Sequence, residues 1–165
     1  MEVVIRKAVQ EDCKDIFSLI QELAVFEKAP EAVIITEADL EAHGFGAHAL
    51  FECFVAEVEG AVVGIALFYP RYSTWKGPTL HLEDLIVTQQ MRGKGIGSRL
   101  YARVIEYAES KGVQRIEWVV LDWNTPAIEF YEQSGATVLP DWRTVQMDAH
   151  GICQFIEKRK NNERI

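Results

Sequence analysis

The sequence is short of cysteine and of basic charge, and it has no long apolar run. Each shortage removes a class of protein. Its three cysteines, Cys13, Cys53 and Cys153, are far apart, and no Cys-x-x-Cys occurs. An odd, scattered set supplies neither a disulfide framework nor a zinc site, so a reduced, cytoplasmic setting is expected. Lys and Arg number 17 against 25 Asp and Glu, a net charge of −8. Binding nucleic acid requires a basic face, so no nucleic-acid partner is expected. The acidic balance is compatible with a cationic small substrate. No stretch approaches the ~20 apolar residues of a membrane span. "MEVVIRKAVQ" lacks the basic start and apolar block of a secretory leader. His43, His48, His81 and His150 have no ligand spacing, so no metal is expected. G-x-S-x-G is absent, which leaves a serine hydrolase unsupported.

What is present reads as one domain spanning residues 1–165, of mixed α/β class, uninterrupted by a linker or repeat. "VVIRKA" predicts a first strand. Apolar residues at Ile16, Leu19, Ile20, Leu23 and Phe26 predict a helix from about Asp12, its N-cap, to Glu27. Thr36–Asp39 is close to a capping box and opens a short second helix. "FECFVAEV" and "AVVGIALFYP" are strands joined by a tight turn at Glu59-Gly60, and Thr79–Val87 is a further strand. Leu100, Val104, Tyr107 and Ala108 form one helical face, stopped by Gly112. "VQRIEWVVL" predicts another strand. Asn124-Thr125-Pro126 starts a helix that Gly135 ends, and Thr144–Ala149 predicts a late strand.

Between the Thr79–Val87 strand and the following helix runs Arg92-Gly93-Lys94-Gly95-Ile96-Gly97-Ser98. It lacks the Gly-Lys-Ser ending of a P-loop. Its third glycine falls one residue early for a dinucleotide fingerprint. What remains is R-x-x-G-x-G between strand and helix, a pattern suited to a pyrophosphate. Glycines let the backbone approach closely, successive N–H groups point at the anion, and the helix N-terminus adds partial positive charge. Arg92, Lys94 and Arg99 add cations. A turn shaped only for packing is the competing reading.

This turn resembles the acetyl-CoA motif of the GCN5-related N-acetyltransferase (GNAT) superfamily. "DCKDIFSLIQELAVFEK", "HGFG", "YSTWKG", "LEDLIV", "RGKGIGS", "LDWN" and "FYEQSGA" together are similar to its diamine acetyltransferase family, nearest the thialysine N-epsilon-acetyltransferase branch. After Ala136 the similarity is weak, with "DWR" (Asp141–Arg143) its main trace. The resemblance implies the GNAT fold, a mostly antiparallel mixed sheet flanked by helices, in a cytoplasmic homodimer that uses acetyl-CoA. It implies that acetyl-CoA meets the backbone of Leu85, Ile86 and Val87. The pyrophosphate then meets the turn from Arg92 and Gly93 through Lys94, Gly95, Ile96 and Gly97 to Ser98. Asn124, Thr125, Pro126 and Ala127 border the pantetheine arm. Tyr131 would protonate the leaving thiolate, and Glu83, Phe26 and Glu27 would hold the amine, with Ser73 and Trp75 near the pocket.

The chemistry of these residue types agrees. An alkylamine of pKa ~10.4 is about one part in 10³ neutral near pH 7, so losing its proton costs roughly 4 kcal/mol. A carboxylate aimed at it addresses that step. Glu83 and Asp84 are consecutive in a strand, which predicts opposite faces and only one facing the substrate; the family favours Glu83. A backbone N–H of Leu85–Val87 can stabilise the developing oxyanion. Without the resemblance, Glu83 reads as a solvated strand-end carboxylate and Tyr131 as a packed aromatic. Three departures from the family stand out. The connection at Glu57–Gly60 is short. Ser73, in "YSTW", stands where the spermidine/spermine branch has an acidic residue, which counts against polyamines. His81 stands where the family usually has an aromatic. Three readings follow: an N-acetyltransferase for a lysine-like amine, the same reaction on polyamines, or a non-catalytic acyl-CoA-binding module.

Overall fold

The computed structural model describes residues 2–162. They form two compact units divided between Leu121 and Asp122. The single-domain expectation covered residues 1–165; Met1 and residues 163–165 lie outside the described residues.

The first unit is built on a five-stranded sheet in the order β1 (Val4–Lys7), β2 (Glu52–Val58), β3 (Ala61–Ser73), β4 (Gly77–Val87) and β5 (Ile116–Glu117). All neighbours are antiparallel except β4 and β5, which run parallel. This is the mixed, mostly antiparallel sheet expected. Alternation divides its side chains between two faces. Cys53, Val55, Ile65, Leu67 and Ile86 pack with Ile16 and Leu19 of α1 (Cys13–Phe26) and Leu40 of α2 (Glu37–Phe45). On the other face, Phe54 and Phe68 meet the Tyr107 ring of α3 (Ile96–Ser110), with centroids 6.0 and 5.0 Å away. Burying one such side chain contributes roughly 1.5–3 kcal/mol. An exposed ion pair gives ~0–1 kcal/mol, so the two apolar layers outweigh the surface pairs.

Local signals act largely as read. Thr36 Oγ1 accepts from the Asp39 N–H at 3.2 Å, and Asp39 accepts from the Thr36 N–H at 2.9 Å, completing a capping box. Glu59 and Gly60, with φ of 52° and 82°, make the tight β2–β3 turn. Gly112, with φ of 65°, follows α3. Asp12 precedes α1 but does not cap it with its side chain. Its carboxylate accepts from Arg6 at 2.7 and 2.8 Å and from the Val9 N–H at 2.8 Å. The Arg6 hydrogen bonds hold its pKa below the usual carboxylate range.

Two predicted strands differ. The one over 113–121 shrinks to Ile116–Glu117, which meets β4 only at Leu80 and His81. Trp118, next along, packs edge-on against Tyr101 of α3 at 5.8 Å. The late strand at Thr144–Ala149 is absent: 144–148 is irregular, and α5 (Ala149–Asn162) follows. Ile152, Phe155 and Ile156 recur at a helical rather than a strand period. The second unit holds α5 and α4 (Thr125–Gln133), whose N-cap is Asn124 with Pro126 in the first turn.

Candidate active site

The site begins with a break in strand pairing. Phe68 of β3 pairs with Leu82, and Leu67, the adjacent residue, pairs with Asp84. Glu83 is therefore an extra residue, a β-bulge on β4. The expectation that Glu83 and Asp84 point to opposite faces is corrected here, because the bulge cancels one step of alternation. Asp84 is cross-strand from Leu67, on the α1 face. Glu83 accepts a hydrogen bond from Tyr69 Oη at 2.8 Å. Tyr69 lies two residues beyond Leu67, so it shares that face. Both carboxylates thus stand on one face of the sheet.

Their electrostatics follow from this crowding. Asp84 is partly buried, and its pKa is pushed up to about 6, first by burial and then by the charges of Glu83 and Glu27. Glu27 follows the last residue of α1. Its pKa is raised by desolvation, although the residue as a whole is exposed. Three carboxylates thus share one field, an arrangement that favours a cation. Sequence reasoning passed over Asp84. A signal was available in the switch of apolar parity along β4, from Leu80 and Leu82 to Leu85 and Val87.

Downstream of the bulge, β4 pairs with β3, while its pairing with β5 is confined to Leu80 and His81. Ile86 and Val87 are buried, and alternate backbone groups of 83–87 face the side away from β3. A 3-10 turn, Gln89–Met91, leads to the glycine segment. Gly93 and Gly95 have φ of 74° and 76°, a region that favours glycine. A Cβ at either would have no neighbour within 4 Å. There is room beside the backbone at both positions, and it is the positive φ rather than crowding that calls for glycine there. Gly95 is the N-cap of α3, so the first N–H groups of Ile96, Gly97 and Ser98 have no intrahelical acceptor. Arg92 turns back from the cradle. Its Nε donates to the Val87 carbonyl at 2.8 Å, and its guanidinium lies 3.5 Å from Glu22 and over the Phe26 ring at 5.2 Å. It ties the turn to the ends of β4 and α1. Lys94 Nζ lies 3.3 Å from Met91 Sδ.

Ser73 and Trp75 are not brought beside Glu83. They lie in the β3–β4 hairpin, with Ser73 opposite Gly77. That is about 20 Å along β4 from Glu83 at ~3.3 Å per residue. Ser73 Oγ accepts from the N–H groups of Trp75 and Lys76, both at 3.2 Å, and so serves the turn. Trp75 is 81% exposed. Tyr131 and Asn124–Ala127 belong to the second unit. There the Asn124 carbonyl accepts from Ala127 and Ile128 at 3.1 Å, and the Tyr131 ring lies 5.4 Å from that of Phe130. Among the described residues no cluster of three His, Cys, Asp or Glu is arranged to hold a metal ion. Nor is any helix long and apolar enough to cross a membrane.

Comparison with known proteins gives these features a setting. The model of the Acetyltransferase (GNAT) family matches residues 13–136. A thialysine N-epsilon-acetyltransferase of Bos taurus is 43% identical over 167 residues, covering 94% of this chain and 98% of that protein. The spermidine/spermine N(1)-acetyltransferase-like protein 1 of Homo sapiens is 38% identical over 80% of this chain, although the match takes in only 20% of that longer protein. Among solved structures, an integron cassette protein of V. cholerae superposes with a TM-score of 0.77 over 95% of this chain and 99% of its own, at 24% identity. That last likeness is one of fold.

Proposed function

This chain belongs to the Acetyltransferase (GNAT) family, and we propose that it acetylates a small primary amine with acetyl-CoA as donor, a lysine-like amino acid such as thialysine being the acceptor that fits best. One observation carries the reading: the bulge that sets Glu83 and Asp84 on a single face of the sheet. A lone carboxylate would pair with an ammonium. Two, with Glu27 nearby, can hold the cation and also take its proton. Glu83 is the base, partly exposed and free to accept through Oε1. Asp84 holds the substrate nitrogen, and the cation it receives offsets the burial and the neighbouring carboxylates that raise its own pKa. Phe26 and Glu27 close the amine side. The bovine relative's name supports the choice of amine.

The donor fits the other half. Acetyl-CoA supplies the acyl group as a thioester. The N–H groups of Gly93 to Ser98 bind its pyrophosphate, with Lys94 adding charge, and Arg92 anchors the turn from behind. The side of β4 away from β3 at Leu85, Ile86 and Val87 binds the pantetheine and offers an N–H to the thioester oxygen. Asn124 to Ala127 border the same arm, and Tyr131 gives its proton to the sulfur that leaves. The family match crosses the division at Leu121 and Asp122, which supports reading 1–165 as one acetyltransferase domain. A cytoplasmic homodimer completes the reading.

Polyamines are the second reading, favoured by the human relative and by the exposed Tyr72 and Trp75. Ser73 and Trp75, so far along the hairpin, would meet only an extended substrate. Arg71 and Lys76 there repel a distal ammonium. The experiment is thiol release from acetyl-CoA across a panel of amines. Thialysine is expected to give a higher kcat/KM than spermidine. Thiol release that no amine accelerates would leave an acyl-CoA-binding module as the better account.

A further inference from the structure

The amine-acetylating reading assigns Glu83 but leaves unexplained how a half-exposed carboxylate on a bulge keeps one direction. Glu83 has 50% of its side chain accessible, and a free glutamate there would sample several rotamers. Two aromatic side chains converge on one of its oxygens. Tyr69 Oη donates to Glu83 Oε2 at 2.8 Å, and His81 Nε2 lies 3.5 Å from that same atom. Tyr69 and His81 are cross-strand partners in the β3–β4 register, and their rings stack with centroids 5.2 Å apart and planes 29° apart. His81 is well buried, with 14% of its side chain accessible, and its Nδ1 is buried without a hydrogen-bond partner. His81 is thus a packed platform under Tyr69, with Nε2, the nitrogen nearer Glu83, as its polar contact among the described residues.

Resting on the reading of Glu83 as the base, we propose that Tyr69, braced by the stacked His81, is a positioning residue that fixes the Glu83 carboxylate through Oε2 and leaves Oε1 to receive the amine proton. Glu83 lies two residues beyond His81 and so shares the Tyr69 face, and the bulge brings Asp84 to that face beside it. Tyr69 is suited to be a permanent donor. Burial and the bond to Glu83 push its pKa up to about 12, so it keeps its proton throughout the range in which an amine is acetylated. A carboxylate held at one oxygen by a neutral phenol keeps its charge and loses only its freedom, which is what a base of fixed aim requires.

The test is a double-mutant cycle on kcat and KM for acetyl-CoA and a lysine-like amine, using wild type, Tyr69→Phe, Glu83→Gln and the double variant. Tyr69→Phe keeps the stacked ring and removes only the hydroxyl. The expected result is a kcat lowered roughly tenfold, the lower end for a lost hydrogen bond to a charged group, with KM for acetyl-CoA unchanged. In the Glu83→Gln background the same substitution should change kcat by less than about twofold, because the group it aims no longer acts. A full tenfold loss in both backgrounds would overturn the proposal, since it would show a general structural effect. Wild-type kcat in Tyr69→Phe, with Glu83→Gln severely impaired, would overturn the positioning role and leave the base intact. Unimpaired Glu83→Gln would overturn the base itself, and the positioning role with it.

Discussion

Glu83 and Asp84 are neighbours in the chain, yet both carboxylates stand on the α1 face of the sheet, because Leu82 and Asp84 pair with adjacent residues of β3 and Glu83 is left over. This concentrates negative charge next to an apolar core. Ionising a carboxylate there is costly, and much of the behaviour expected of the protein follows from that cost.

The first consequence is a stability that depends on pH. Asp84 titrates at about 6 in the folded protein, against ~3.9 in an unfolded chain. Because the folded value is the higher, the contribution of this group is full below pH ~3.9 and is lost as pH rises through 6. The loss is roughly 3 kcal/mol, because each pH unit between the two values is worth about 1.4 kcal/mol. Asp84→Asn removes that penalty. Its stability relative to wild type should therefore be greater at pH 8 than at pH 4 by about that amount. Urea unfolding midpoints at the two pH values measure it. An equal difference at both would show that the carboxyl is not held among buried charges.

The glycine turn separates strain from ligand binding. With φ near 76°, any side chain at Gly95 should cost ~1 kcal/mol of stability. Gly95→Ala and Gly95→Glu should therefore melt alike, since the added Cβ meets nothing within 4 Å. Only Gly95→Glu fills the cradle with an anion, so calorimetric titration should show a far larger loss of acetyl-CoA affinity for it than for Gly95→Ala. Equal affinities would reduce the turn to a packing device.

For Tyr131, substitution by Phe keeps the ring and removes the proton. A fall in kcat of roughly 10²-fold is expected, the scale of a positioned acid, with acetyl-CoA affinity unchanged. Steady-state kinetics paired with a direct binding titration distinguishes this from lost binding.

The hairpin gives a test of substrate length. A lysine-like amine seated at Glu83 is too short to meet Ser73, and so is spermidine, whereas a polyamine as long as spermine, fully extended, brings its distal ammonium toward it. Ser73→Asp should therefore raise kcat/KM for spermine and leave thialysine within about twofold. The gain should be several-fold, in keeping with a charge-assisted contact at an exposed site. Its removal by ~0.5 M salt would confirm the electrostatic origin. A parallel change for both amines would remove Ser73 from any account of selectivity.

The sequence was most legible where local chemistry decides the structure. The Thr36–Asp39 box, the Glu59-Gly60 turn, the Gly112 stop and the start of α4 at Asn124 are set by side chains and backbone angles within a few residues, and all stand where expected. The glycine turn was legible for the same reason. What escaped depends on long-range pairing. The bulge exists because β3 and β4 slip by one residue at Leu67 and Phe68, and strict alternation, the rule used to read the strand, cannot express it. That error hid Asp84. The short β5 reflects a pairing with β4 that ends at His81, a matter of sheet geometry that the apolar run through Leu121 does not encode. For Ala149–Asn162, the strand expectation ended where a helical spacing of Ile152, Phe155 and Ile156 begins. The Asp12 side chain, free to cap α1, is claimed by Arg6 across a tertiary contact.

At the centre of the proposed mechanism stands the Glu83 carboxylate, as the group to take the proton of an amine acetylated by acetyl-CoA. The rate of thiol release from acetyl-CoA with thialysine as acceptor, for wild type and Glu83→Gln at about pH 7.5, reads that step. Amine-dependent release by wild type, falling roughly 10²- to 10³-fold in the variant with acetyl-CoA affinity unchanged, is the expected result. Release that does not depend on the amine would mean that no amine is acetylated, and a variant as fast as wild type would mean that Glu83 is not the base.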